Sequence, residues 1–237
     1  MKVVKEGFIH QLTFYPALFP VNCYIVEEKN ELTLVDAALP NSCKSIIETV
    51  QKIGKPLTRI VLTHAHGDHI GSLDKLKDIL PDAKVYISKR DERLLRGDHS
   101  LDENENQTPI KGGVPKPEEV KTRPDVLLKE GDQIGSLRAI STPGHTPGSM
   151  SFIDERTNAI IAGDAFQTRG GIAVSGHLKL LFPFPAMATW NKEESLKSAK
   201  KIKNQKPSLL AVGHGKMIKQ PASIFELAIH KLEKTIS

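Results

Sequence analysis

His64-Ala65-His66-Gly67-Asp68-His69 is the stretch that decides how this chain folds and what it holds. Three imidazoles and a carboxylate fall within six residues. Before them runs a compact β-branched segment, residues 59–63; after them Ile70, Leu73, Leu76 and Ile79 recur at helical spacing until Pro81. A buried strand thus delivers the chain into a turn, and the turn feeds a helix. The strand end fixes the backbone, Gly67 relaxes it where the turn is tightest, and alternate side chains can converge. Imidazole is the commonest zinc ligand, and carboxylate oxygen joins it readily. Burying this set with neither a metal nor partners is costly. A polar surface turn accounts for one histidine in a loop, but not for three with an aspartate in this position.

Upstream, residues 8–12, 21–26 and 32–35 are short apolar runs separated by turn residues, so strands are expected. Ser42 is placed to cap a helix carrying Ile46, Ile47, Val50 and Ile53, which Gly54 stops. Downstream, residues 84–87, 137–141, 150–153, 159–162 and 209–212 read as strands. Helices are expected from Asn191 to about residue 202 and over about 222–232. This alternation predicts an α/β fold with helices packed on sheets. Two irregular stretches interrupt it. Residues 96–125, rich in Gly and Pro, read as a lid, a binding loop or a mobile segment. Residues 168–189 place Phe182, Phe184 and Met187 among prolines, with Trp190 next to them.

Three further polar residues sit beside glycines just after predicted strands: His145 in Pro143-Gly144-His145, Asp164 in Gly163-Asp164, and His214 in Gly213-His214-Gly215. Each alone is a turn residue by default. With the six-residue segment they make five histidines and two aspartates, a consistent ligand set held at strand ends.

The chain has 237 residues, 39% hydrophobic and 26% charged, enough for one domain spanning 1–237. No apolar run is long enough to span a membrane, and residues 1–10 mix charge with hydrophobe too early for a signal peptide. A cytoplasmic protein with no membrane partner is expected. Cys23 and Cys43 lack the spacing of a metal or disulfide motif and read as reduced, buried side chains. The net charge of +5 and pI near 9.1 raise nucleic acid as a partner. The densest lysine cluster (Lys192, Lys197, Lys200, Lys201, Lys203, Lys206) falls largely on one predicted helix, however, and reads better as a solvated face. A small-molecule substrate and a monomer or homodimer are the expected associations.

The ordered pattern HxHxDH, then H, D and H, resembles the metallo-β-lactamase superfamily over nearly the whole chain, from Asn22 to Gly215. That resemblance implies a four-layer αβ/βα sandwich with two facing mixed sheets and the site at one edge. It implies His64, His66 and His145 on a first metal, Asp68, His69 and His214 on a second, and Asp164 bridging both. Asp36, in Leu34-Val35-Asp36-Ala37, matches a family aspartate that supports the metal loop without binding metal.

Departures narrow the branch. The best-known lactamases put a cysteine at the second metal; here Asp164 stands there, with neither cysteine near a ligand segment. The di-iron oxidoreductase branch replaces the second motif histidine with an acidic residue; here it is His66. The larger RNA-processing branches need insertions for which this chain has no room. What remains resembles glyoxalase II and acyl-homoserine lactonases. Only 23 residues follow His214, so the C-terminal glutathione-gripping domain of glyoxalase II is not expected, and Gln167 stands where lactonases usually carry a tyrosine.

The implied activity is hydrolysis of a carboxylic ester, thioester or lactone by a metal-bridging hydroxide, with Asp68 also relaying a proton. Zinc is the expected ion at both positions, with manganese or iron as alternatives. Phe182, Phe184, Met187 and Trp190 either line an apolar acyl pocket or pack their loop onto the core. Gln167 and His177 are further candidates for substrate contact. The competing readings are a phosphodiesterase acting on RNA or nucleotides, and a metal-binding protein without turnover.

Overall fold

The first sheet grows in chain order. β1 (Lys2–Glu6), β2 (Ile9–Phe14), β3 (Val21–Glu27) and β4 (Leu32–Val35) are antiparallel neighbours, and β5 (Leu57–Val61), β6 (Lys84–Ser88) and β7 (Val126–Leu128) add in parallel. The computed structural model describes residues 1–236. Parallel neighbours require crossovers. These are α1 (Cys43–Ile53), then α2 (Gly67–Ile70) with α3 (Leu73–Ile79), then α4 (Lys89–Leu95) with the irregular stretch that follows it.

The second sheet has six strands in the order β15-β14-β11-β10-β9-β8. They are β8 (Gln133–Ile134), β9 (Leu137–Ser141), β10 (Met150–Asp154), β11 (Ala159–Ile161), β14 (Leu209–Ala211) and β15 (Ile218–Lys219). Only β11 and β14 pair in parallel. Between them come a small ribbon of β12 (Phe166–Gln167) and β13 (Ala173–Val174), the single turn α5 (Phe184–Met187), and α6 (Lys192–Asn204). α7 (Ala222–Ile236) closes the described chain.

Strand periodicity builds the layers. Successive side chains point to opposite faces, so neighbours such as Ile60 and Val61, or Phe152 and Ile153, enter different cores. One core packs Leu34, Ile60 and Val85 against Ile46, Leu73, Leu76 and Leu94 of α1, α3 and α4. A central core joins the two sheets through Tyr24, Val35, Val61, Met150, Phe152 and Ile161. A third packs Ile140, Ile153 and Leu210 against Ala199 and Ile202 of α6 and Phe225 and Leu232 of α7. The result is the expected sandwich, helices outside and two mixed sheets facing each other. Among the described residues no helix is long and apolar enough to cross a membrane.

Local departures have physical reasons. Ser42 precedes α1, but its Oγ accepts Leu39 N–H at 3.2 Å instead of capping the helix. The single helix expected from Ile70 is two, because Gly71 N–H bonds Ala38 O at 2.8 Å and Ser72 Oγ–H bonds Leu39 O at 2.5 Å, drawing the backbone out of the helical ladder. Asn191 caps α6 as expected, accepting Glu194 N–H at 2.9 Å. On and near α6, Lys197, Lys200, Lys201 and Lys203 pair with Glu194, Glu233, Glu130 and Glu226, as a solvated lysine face does.

Candidate metal centre

Seven side chains from four chain segments meet at one edge of the sandwich. His64, His66, Asp68 and His69 come from the turn after β5. His145 follows β9, Asp164 lies just past β11, and His214 follows β14. Donor atoms fall into three overlapping groups, each within 4.8 Å: His64, His66 and His145; His64, His69 and Asp164; Asp68, His69 and His214. All except Asp68 are buried. Asp164 stands between the outer groups, 3.3 Å from His145 Nε2, 3.4 Å from His69 Nε2 and 3.1 Å from His214 Nε2.

The hydrogen bonds fix which nitrogen of each imidazole is free. His69 Nδ1 lies 2.8 Å from Asp36 Oδ2, an acceptor, so Nδ1 carries the proton and Nε2 a bare lone pair. His66 Nε2 meets the carbonyl of Lys111 at 2.9 Å, leaving Nδ1 bare. His214 Nδ1 meets the carbonyl of Pro20 at 2.7 Å, leaving Nε2 bare. Thr63 donates its hydroxyl proton to Asp36 at 2.9 Å, so it must accept from His64 Nδ1, also at 2.9 Å. The last case is a relay. Thr189 Oγ–H donates to Pro185 O, Ser175 therefore donates to Thr189, and Ser175 accepts from His145 Nδ1 at 2.9 Å. In the neutral form all five histidines turn one lone pair inward, an arrangement characteristic of metal-ligating imidazoles.

The donor set therefore fits cations. His64 Nε2, His69 Nε2 and Asp164 Oδ1 are buried with no hydrogen-bond partner. His66 Nδ1 and His145 Nε2, both bare by the argument above, face each other at 2.9 Å, which a shared cation or proton relieves. Burial and neighbouring charges divide the five. Burial, then the neighbouring imidazoles His69 and His66, holds His64 well below the usual histidine range. Burial pushes His145 down to about 3. Burial opposes charge on Asp164 too, but His214, His69 and His145 override it and keep its carboxyl ionised. Burial likewise opposes charge on His69 and His214, but Asp164 and the neighbouring carboxylates override it, so without a cation both favour an extra proton at the inward nitrogen, which a bound cation would displace.

Asp36 anchors this arrangement. It holds a left-handed backbone, φ 64°, rarely adopted by a residue with a side chain, at the end of β4. Its Oδ1 accepts Thr63 N–H at 2.8 Å. One carboxylate thus orients the strand end, His64 through Thr63, and His69 directly.

The cleft over the centre, about 410 Å³, is lined by the polar cluster on one side and by Phe19, Phe184, Pro185, Met187 and Ala188 on the other, with Gly112 and Gly113 at its rim. Of the pocket residues expected from sequence, Phe184 and Met187 line it. Four others do not. Phe182 is buried behind the wall, its ring 5.2 Å from Phe19 and 5.4 Å from His214. Trp190 is buried, its Nε1–H bonding Thr108 O at 2.8 Å, so it ties the two irregular stretches together. Gln167 is buried and donates to Arg169 O and Phe182 O at 3.0 Å, bracing the chain. His177 lies outside the cleft among Lys179, Lys192 and Lys231. Phe19, Lys111 and Ser175 carry no sequence signal, and their roles arise only from tertiary contact. A larger cleft of about 820 Å³ beside β1 and β15 holds no histidine and a single carboxylate, Glu6.

Comparisons with known proteins bear on the family and the fold. The family model described as metallo-beta-lactamase superfamily matches residues 16–214. A Bacillus subtilis (strain 168) protein called uncharacterized protein YobT is 61% identical over 234 residues, covering 99% of this chain and all of that one. A probable metallo-hydrolase of the same organism, YflN, is 29% identical, covering 87% of this chain and 83% of its own. Among solved structures, TTHA1623 in a di-iron-bound form is similar with a TM-score of 0.65 and 25% identity, over 90% of this chain and 96% of that one. On this evidence of sequence and architecture, the chain belongs to the metallo-beta-lactamase superfamily.

Proposed function

We propose that this chain is a hydrolase that holds two divalent ions and cleaves a carboxylic ester, thioester or lactone. The observation that carries the proposal is the inward lone pair on each of five histidines, every one locked by a partner on its other nitrogen. His64, His66 and His145 would hold one ion, Asp68, His69 and His214 the other, and Asp164 both. Ions so held supply a water of pKa about 7 and polarise a carbonyl. Zinc suits the nitrogen-rich donors, although the di-iron form of a similar structure makes iron the first alternative.

The chain's own residues supply the rest. Asp68 is the one polar member with appreciable exposure, its side chain 27% accessible, and it borders the cleft. Its Oδ2 lies 3.4 Å from His214 Nε2, and the other oxygen would take a proton from the attacking water and pass it to the departing oxygen or sulfur. Phe19, Phe184 and Met187 cover an apolar substituent and exclude water from the reacting end. Among the described residues, no lysine or arginine lines the cleft. An acyl compound needs none, whereas a phosphodiester backbone depends on such contacts. That favours acyl substrates over RNA or nucleotides despite the basic pI.

The test is a substrate panel on metal-loaded protein: aryl esters, acyl thioesters, γ-lactones and a bis-aryl phosphodiester. Turnover of one acyl class above the phosphodiester is expected. Cleavage of the phosphodiester alone would reverse the assignment, and bound metal with no turnover on any arm would favour a binding protein.

A further inference from the structure

Asp91 is a fully buried carboxylate outside the ligand set. It sits on α4, behind the metal turn. Its Oδ2 accepts Ala65 N–H at 3.1 Å and Thr146 Oγ–H at 2.7 Å; its Oδ1 accepts Gly148 N–H at 2.8 Å. Ala65 lies between His64 and His66. Thr146 and Gly148 follow His145. One carboxylate therefore grips, by backbone or adjacent hydroxyl, both loops that furnish the group His64, His66 and His145.

The fit is close. A Cβ on Gly148 would stand 2.4 Å from Asp91 N and 2.6 Å from Asp91 Oδ1, so any side chain there would lever the His145 loop away. Helix α4 does not depend on this grip. Ser88 Oγ caps it by accepting Asp91 N–H at 3.0 Å, and Leu94 and Leu95 seat it in the core. Burying a carboxylate is expensive, and burial pushes this one up to about 6 while Thr146, Gly148 and Ala65 hold it down. An apolar side chain would seat α4 without that cost. A carboxylate offers something an apolar group cannot: several acceptor sites for donors on two separate loops.

We propose that Asp91 is a positioning residue that clips the His64–His66 turn to the His145 loop and sets the spacing of the three imidazoles of the first ion. The proposal rests on the metal reading given above. The second ion's ligands are placed otherwise: His69 by Asp36, and His214 by Pro20. Loss of the clip is therefore felt at one ion and not at the other.

Asp91→Asn keeps the shape but turns an amide NH₂, a donor, either toward Gly148 N–H or toward Ala65 N–H and the Thr146 hydroxyl. Two readouts decide the matter on the full-length chain. Cobalt titration of metal-free protein should show one equivalent weakened about tenfold or more, the scale typical of ligand-supporting residues, with its d–d bands altered and the other equivalent unchanged. Amide hydrogen exchange on the metal-free protein should accelerate at Ala65 or at Gly148, whichever amide the NH₂ faces. Wild-type exchange at both amides, or equal weakening of both ions, would overturn the clip. Failure of the wild-type protein to bind cobalt would instead overturn the metal reading and leave exchange to judge Asp91. If Asp91→Asn does not fold, Thr146→Val should reproduce the selective loss and Thr146→Ser should restore it; an unchanged Thr146→Val overturns the clip.

Discussion

His66 Nε2 donates to the carbonyl oxygen of Lys111 at 2.9 Å, across 45 residues of chain. This bond ties the long irregular stretch to the metal turn and turns His66 Nδ1 toward His145. The stretch is therefore part of the centre. Gly67 N–H, bonded to Gly113 O at 2.8 Å, seals the same junction.

Gly112 lies at φ 92°, and a Cβ there would stand 2.5 Å from His66 Nε2. Gly112→Ala should strain the backbone and push His66 off its carbonyl. Affinity for one of two ions should fall roughly tenfold or more, as for other ligand-orienting contacts. Competition with a chromogenic chelator measures it, and unchanged affinity for both ions would disprove the role given to the Lys111 carbonyl.

His66→Ala and Asp68→Ala should differ in kind. The first removes a proposed ligand of one ion, so metal content should drop from two toward one per chain. The second should cost about 10²–10⁴ in turnover, the range for a positioned proton-transfer group, with metal only partly lost. Elemental analysis beside kinetics on the same samples separates them. Wild-type turnover in either variant would refute the assignment.

Phe184 is half exposed at the mouth and packs edge-on against Phe19 at 5.0 Å between centroids. Phe184→Ala should reduce kcat/KM for substrates with a large apolar acyl group by about tenfold, or about 1.4 kcal/mol, a plausible share of one side chain's burial. Acetyl substrates, too short to reach it, should be little affected. An equal loss on both would show that the ring only packs its loop.

Far from the centre, Glu27 binds Lys5, His10 and Lys55, and hydrogen bonds from Lys5 first, then His10, hold its carboxyl at about 2. An acid whose pKa is depressed on folding stabilises the protein above its unfolded value and loses that effect as pH falls toward the folded one. Stability should therefore decline between about pH 4.5 and 2 with a contribution that Glu27→Gln abolishes. Thermal melts of both proteins across that window, at low salt, give the comparison; parallel profiles would contradict it.

What was legible in the sequence was local. The turn from His64 to His69 declares itself because an apolar strand and an apolar helix bracket it within a few residues. His145, Asp164 and His214 share the same setting, a glycine beside a strand end. The second tier of the site was not legible, since it depends on which carbonyl or hydroxyl arrives from elsewhere. Lys111 and Pro20 contribute only backbone oxygens, which any residue has. Asp91 sits in Lys89-Arg90-Asp91-Glu92-Arg93, a charged run that reads as a solvated face and hides the short α4 altogether. Aromatic character alone could not say which of Phe182, Phe184 and Trp190 faces the cleft, because residues 168–189 have no regular period to assign a side.

The most direct measurement is the ion content of the protein, purified without chelator, set against its acyl-hydrolase rate as chelator removes the ions and added metal restores them. Two ions per chain, with activity lost and recovered in step, is the expected result. Activity that survives complete removal of metal, or a protein that takes up no ion at the five histidines, would contradict it.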